Sequence, residues 1–167
     1  MRAILAAMLA VTAQLAAHAD DAVLAKLVGE WTGRGTMQLK PDAAPERVYC
    51  KITNTISPDG KTLDQKGRCS LASSSGRVDG EIVLSGDGKY TGTLASLASR
   101  GPAALTGTGS ASRVVLDASF VDALTGNPDT SVNTIEVFAD GYRLTTVRKN
   151  PQTGEAYTSS TIAFTAN

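Results

Sequence analysis

The chain predicts an all-β fold: an antiparallel up-and-down β-barrel of eight to ten strands, entered through one short helix. Three observations predict it. From Trp31 onward, apolar and polar residues alternate in short runs, the period-two signature of strands with one buried face. Turn-forming clusters break these runs at Pro58-Asp59-Gly60, Ser85-Gly86-Asp87-Gly88, Asp140-Gly141 and Asn150-Pro151-Gln152-Thr153-Gly154. The two cysteines, Cys50 and Cys69, fall on facing positions of one predicted hairpin.

Residues 1–19 read as an export signal. Arg2 supplies the positive start, Ile4 to Val11 an apolar run, and Ala17-His18-Ala19 a small-x-small cleavage site. The expected mature chain begins at Asp20, after cleavage following Ala19, and its compartment is periplasmic or secreted. Residues 20–167 form a single domain, long enough for a real core. The apolar run is too short to span a bilayer, and no later segment approaches the length needed. An outer-membrane barrel is a poor match, because 1 Trp, 4 Tyr and 3 Phe cannot supply two aromatic girdles.

The elements follow in order. A helix is expected near 21–28, capped by Asp20 or Asp21, with Val23, Leu24, Leu27 and Val28 as its apolar stripe and Gly29 as its stop. Strands are expected near 30–40, 46–57, 62–71, 77–84, 89–96, 104–110, 113–120, 132–139, 142–149 and 156–165. On the first strand Trp31, Gly33, Gly35, Met37 and Leu39 share a face, and Arg34 takes the other. Gly33 and Gly35 permit the bend or close approach that barrel closure requires. In the next hairpin, a four-residue loop over Pro58 to Lys61 makes Cys50 face Cys69, Ile52 face Gly67 and Ile56 face Leu63. A three-residue loop would put the cysteines on opposite faces. An even cysteine count in an exported chain therefore reads as a structural disulfide. The longest connection, Val121 to Ser131, reads either as a surface loop or as a lid.

The start Gly29-Glu30-Trp31 resembles the Gly-x-Trp start of the calycins, which include lipocalins and fatty-acid-binding proteins. Its longer form through Gly33 and Gly35 is similar to the nitrobindin-type barrel start. Nitrobindin-type barrels bind haem through a late histidine, and the mature chain has no histidine, so haem binding does not carry over. Many calycins set a late-strand arginine against the tryptophan. Arg148 is the matching candidate, with Arg143 second, and the barrel signature then reads Gly29, Trp31, Gly33, Gly35 and Arg148. A competing resemblance is to bacterial periplasmic inhibitors of metalloproteases, in which an N-terminal segment enters the target's cleft. Asp20 to Leu27 would be that segment.

Composition excludes much chemistry. The sole histidine, His18, lies in the signal. Histidine bases, histidine-bearing triads and histidine-ligated metals are absent from the mature chain. Asp79, Glu81, Asp117 and Glu136 alternate with apolar residues and read as solvent-facing. No catalytic residue, metal or cofactor is implied. The 16 basic residues include Arg2 and balance 16 acidic ones, with no basic run among aromatics, which argues against a nucleic-acid partner. The remaining reading is an exported, non-enzymatic barrel that binds an apolar or amphipathic small molecule. Trp31, Met37, Ile52, Tyr90, Leu116, Phe120 and Leu144 are its candidate lining. The alternative is a periplasmic module for a protein partner, such as a protease inhibitor or an envelope accessory protein. Whether the interior is hollow or filled stays open, because local pattern does not set interior volume.

Overall fold

A computed structural model describes residues 21–167 apart from residue 87, so the predicted export signal lies outside the described residues. One helix precedes ten strands: α1 Asp21–Lys26, β1 Gly29–Met37, β2 Glu46–Ile56, β3 Thr62–Ser70, β4 Ser75–Leu84, β5 Lys89–Ala95, β6 Ala103–Ser110, β7 Arg113–Val121, β8 Pro128–Val137, β9 Gly141–Lys149 and β10 Ala156–Ala166. Every strand pairs antiparallel with its sequence neighbour, and β1 closes onto β10 through pairs running from Trp31–Ala166 to Met37–Ser160. This is an all-β, closed up-and-down barrel of the calycin-like type, with ten strands. Closure leaves no unpaired strand edge.

The β2–β3 hairpin has the register expected from its cysteines. Cys50 pairs with Cys69, Ile52 with Gly67 and Ile56 with Leu63, and Ser57 N donates to Thr62 O across the turn. The two cysteines form a disulfide with a Cα–Cα distance of 4.1 Å.

One end of the barrel is closed by α1. Val23, Leu24 and Leu27 are buried there, and the helix gives way to β1 through Gly29, whose φ of 133° disfavours a side chain. The Leu27 carbonyl, left free by the end of the helix, accepts two side-chain donors at 2.8 Å, Trp31 Nε1 and Asn54 Nδ2. The conspicuous tryptophan thus staples the plug to the barrel. Its ring meets Tyr142 edge-on at 5.1 Å, and Tyr142 stacks on Phe164 at 4.4 Å. Gly33 and Gly35 are required by packing. A Cβ at Gly33 would lie 2.5 Å from the Phe164 ring, and one at Gly35 would lie 1.9 Å from the Thr161 carbonyl oxygen.

Three sequence expectations need correction. β8 begins at Pro128 rather than near 132, so the β7–β8 connection covers only 122–127. Proline is tolerated there as the first strand residue. The longest connection is instead 38–45, between β1 and β2. The 122–127 loop is also pinned, because Arg100 N donates to Val121 O and Ala123 N to Ala98 O. The third correction concerns Arg148. It does not pack on Trp31 but sits at the opposite end of the barrel, over Phe120 at 5.4 Å from the ring centre. Arg143 is outside the barrel, over Phe138 at 5.2 Å.

Candidate functional site

Opposite the helix plug the barrel is hollow. A cavity of about 140 Å³ opens at the end where β1, β3, β5, β7 and β9 finish. Its position explains an exposure pattern along the inward faces. Residues near the plug, such as Leu63, Tyr90 and Val114, are fully buried, whereas Met37, Leu39, Ile82, Leu94, Phe120 and Leu144 pack on the core yet stay partly exposed. These six side chains line the cavity. Tyr142 and Phe164 form part of its floor.

Of the candidate lining residues, Met37, Ile52, Leu116, Phe120 and Leu144 are brought together around this space. Trp31 and Tyr90 are not among the lining residues. Both point inward, but toward the filled end of the barrel, where Trp31 lies beyond Tyr142 and Tyr90 is buried against Gly109. Period two gives the face of a residue but not its height along the barrel.

The cavity has two kinds of wall. Val78, Ile82, Leu94 and Leu105, from β4 to β6, make one side apolar. Across from them, β8, β9 and β10 present a polar stripe. One cross-strand row runs Asn133, Thr146 and Ser160, and the next pairs Ser131 with Arg148. Thr146 Oγ1 donates to Asn133 Oδ1 at 2.9 Å, and Asn133 Nδ2 donates to Ser131 Oγ at 3.1 Å. The stripe is widened by a bulge in β10, where the register shifts between Thr158 and Ser160. The extra residue turns both Ser159 and Ser160 inward, and both are buried in the cavity wall.

At the mouth Arg148 holds two carboxylates. Its Nη2 donates to Asp122 Oδ2 at 2.6 Å and also to Asp129 Oδ2, and its Nη1 reaches Leu39 O at 3.4 Å. The side chains of Arg148 and Asp122 are each 7% exposed, and that of Asp129 is 24% exposed. Asp122 Oδ1 accepts three further bonds, from Leu124 N, Thr125 N and Thr125 Oγ1. Burial pushes the Asp122 carboxyl up, but the Thr125 amide, Arg148 and the Thr125 hydroxyl outweigh it and hold the group below its ordinary value. Burial likewise pulls the Arg148 guanidinium down, and its bonds to Asp129 and Asp122 overcompensate. Arg148 Nε is buried without a hydrogen-bond partner among the described residues.

Sequence reasoning missed both aspartates, because the segment holding them read as a loop. A usable signal was present: an inward arginine in an otherwise apolar interior requires an anionic partner. Glu81 is an exposed residue that borders the cavity from β4, and the remaining predicted acids are elsewhere. Asp117 is exposed, Asp79 pairs with Arg77 at 3.7 Å, and Glu136 pairs with Arg113 at 3.8 Å on the outer surface.

Neither a family model nor a curated protein sequence matches the chain. Among solved structures it is similar to an S-type phycobiliprotein lyase from Guillardia theta, with a TM-score of 0.61 and 15% identity, over 86% of this chain and 90% of that one. The likeness is one of fold. It spans nearly the whole of both barrels, and the calycin-like architecture is common to them.

Proposed function

We propose that the protein is an exported carrier or sensor that binds one apolar or amphipathic small molecule in the mouth of its barrel, without chemically converting it. The observation that carries this reading is the open cavity of about 140 Å³ with an apolar wall facing a polar stripe. That volume is close to that of an engineered cavity which admits benzene, about 150 Å³. It suits a single ring or a short chain, with the remainder of a longer ligand reaching out through the opening. Pockets of this kind take their affinity from apolar burial and their orientation from a few placed polar groups. The structural neighbour is by name a phycobiliprotein lyase, and its shared barrel supports small-ligand binding by analogy of fold.

A non-catalytic role rests on the state of the two carboxylates that do converge at the mouth. Asp122 is saturated with donors and its carboxyl is held below its ordinary value, which unsuits it as a general acid and weakens it as a base. Export rests on the predicted signal and cleavage after Ala19. No helix among the described residues is long and apolar enough to cross a membrane.

Native mass spectrometry of the mature protein purified from its own envelope or medium tests this proposal. A bound small mass that leaves on denaturation, from a chain beginning at Asp20, is the expected result. A chain that carries no added mass and gives no saturable signal with neutral apolar probes would overturn it.

A further inference from the structure

The charge arrangement at the mouth narrows the ligand class, on the premise that the cavity binds a small molecule. Arg148 is the cation of the cavity wall, and it is not free to take an anion. Two carboxylates already share its Nη2, so the cluster of Arg148, Asp122 and Asp129 carries a net charge of −1. Asp129 is the more exposed of the two. The polar stripe beyond it is made of neutral hydroxyls and one amide, at Ser131, Asn133, Thr146 and Ser160. The hydroxyls of Ser131 and Ser160 supply donors in that wall. Arg148 Nε is buried out of reach of the cavity and has no acceptor among the described residues.

We propose that the cavity selects uncharged amphiphiles carrying a neutral hydrogen-bond acceptor, such as an amide, ester or ketone carbonyl, and discriminates against carboxylates. The acceptor oxygen takes a hydrogen bond from the Ser131 or Ser160 hydroxyl, and the apolar body lies against Ile82, Leu94 and Phe120. A carboxylate placed at the same point would find no free cation in the wall, because Arg148 is already neutralised. It would also lie in the field of the cluster's surplus negative charge. In this barrel the charge of the arginine is cancelled beforehand by its two aspartates.

Octanamide and octanoate, which share a chain length, test this by displacement of the neutral dye N-phenyl-1-naphthylamine from the mature protein at pH 8. Octanamide is expected to displace the dye at a concentration about tenfold or more below that of octanoate. An uncharged chain partitions into any apolar pocket better than a charged one, so the deciding reading is the ratio in Asp129→Asn. That variant keeps an oxygen for the Thr130 amide, which Asp129 Oδ1 now accepts. It brings the cluster to neutrality, and the octanamide-to-octanoate preference is expected to fall to about threefold or less, through tighter octanoate binding. Asp122→Asn gives an independent second reading of the same ratio. Equal displacement by the two compounds in the parent protein overturns the inference and leaves ligand binding itself intact. So does an unchanged ratio in both folded variants. Absence of any dye or octanamide binding overturns the cavity proposal, and this inference with it.

Discussion

Replacing Arg148 by methionine is the sharpest perturbation of the site's structure. Methionine keeps an unbranched stem of similar reach and removes the guanidinium. Asp122 is then left as a buried carboxylate, 7% exposed, without its counter-ion. Removing one partner of a buried ion pair costs about 3–5 kcal/mol. The lower end applies here, because Asp122 Oδ1 keeps its three donors on the 122–127 loop. Asp129 regains water at 24% exposure and contributes little. The expected loss is therefore about 3 kcal/mol at pH 7, or a fall in Tm of about 6–12 °C for a domain of this size. Urea unfolding and thermal melts followed by far-UV circular dichroism measure it.

The sign of the pH dependence follows from the lowered Asp122 value in the parent. Its stabilising contribution is complete above the ordinary aspartate value, about 3.9, and is lost as pH falls through the lower folded value. In Arg148→Met that contribution is absent, so the two stability curves converge in acid. Adding Asp122→Asn to Arg148→Met removes the stranded charge and recovers about 1–3 kcal/mol. A loss below about 1 kcal/mol for the single variant, or a double variant no more stable than it, would refute the reasoning. Trp31 fluorescence supplies a separate check. An arginine stacked on the indole would shift its emission when removed, whereas Arg148 lies at the other end of the barrel and its loss leaves the native spectrum unchanged.

Other substitutions probe the frame. Replacing Cys50 and Cys69 together by alanine opens a closed loop with a sequence separation of 19 and lowers stability by about 3 kcal/mol, measured by denaturant titration. Trp31→Phe removes a buried indole donor from the Leu27 carbonyl and is expected to cost about 1–3 kcal/mol, with faster hydrogen exchange in α1 as its local signature. Gly35→Ala sets a methyl 1.9 Å from the Thr161 carbonyl oxygen, so β1–β10 pairing must open and little folded protein is expected on expression.

What was legible in the sequence is what depends on local pattern. Period two identifies inward residues, so Met37, Ile52, Leu116, Phe120 and Leu144 all face the interior. Turn chemistry and cysteine parity set the β2–β3 register, because slipping by one residue would send the two sulfurs to opposite faces. What was not legible depends on height and closure. Trp31 and Leu39 lie on the same face, but only the distance of each from the α1 plug makes one filled core and the other cavity wall. Arg148 was correctly inward and was given the wrong partner for the same reason. The β10 bulge left a faint trace. Inward parity is odd at Tyr157 and even at Ile162 and Phe164, and the adjacent Ser159 and Ser160 absorb the change. Interior volume has no sequence signature, since it follows from how many strands close the barrel and at what tilt.

A carrier role requires a cavity that admits a ligand, and the most direct measurement is saturable binding of N-phenyl-1-naphthylamine to the parent protein and to Ala118→Phe. Ala118 is 4% exposed and faces the cavity between Leu105 and Ser131, so a benzyl group there occupies much of a space of about 140 Å³. The expected result is saturable fluorescence enhancement with the parent, lost in a variant that keeps its circular dichroism and Tm. Equal binding by both proteins would put the dye elsewhere, and no saturable binding by either would leave the barrel without the role proposed for it.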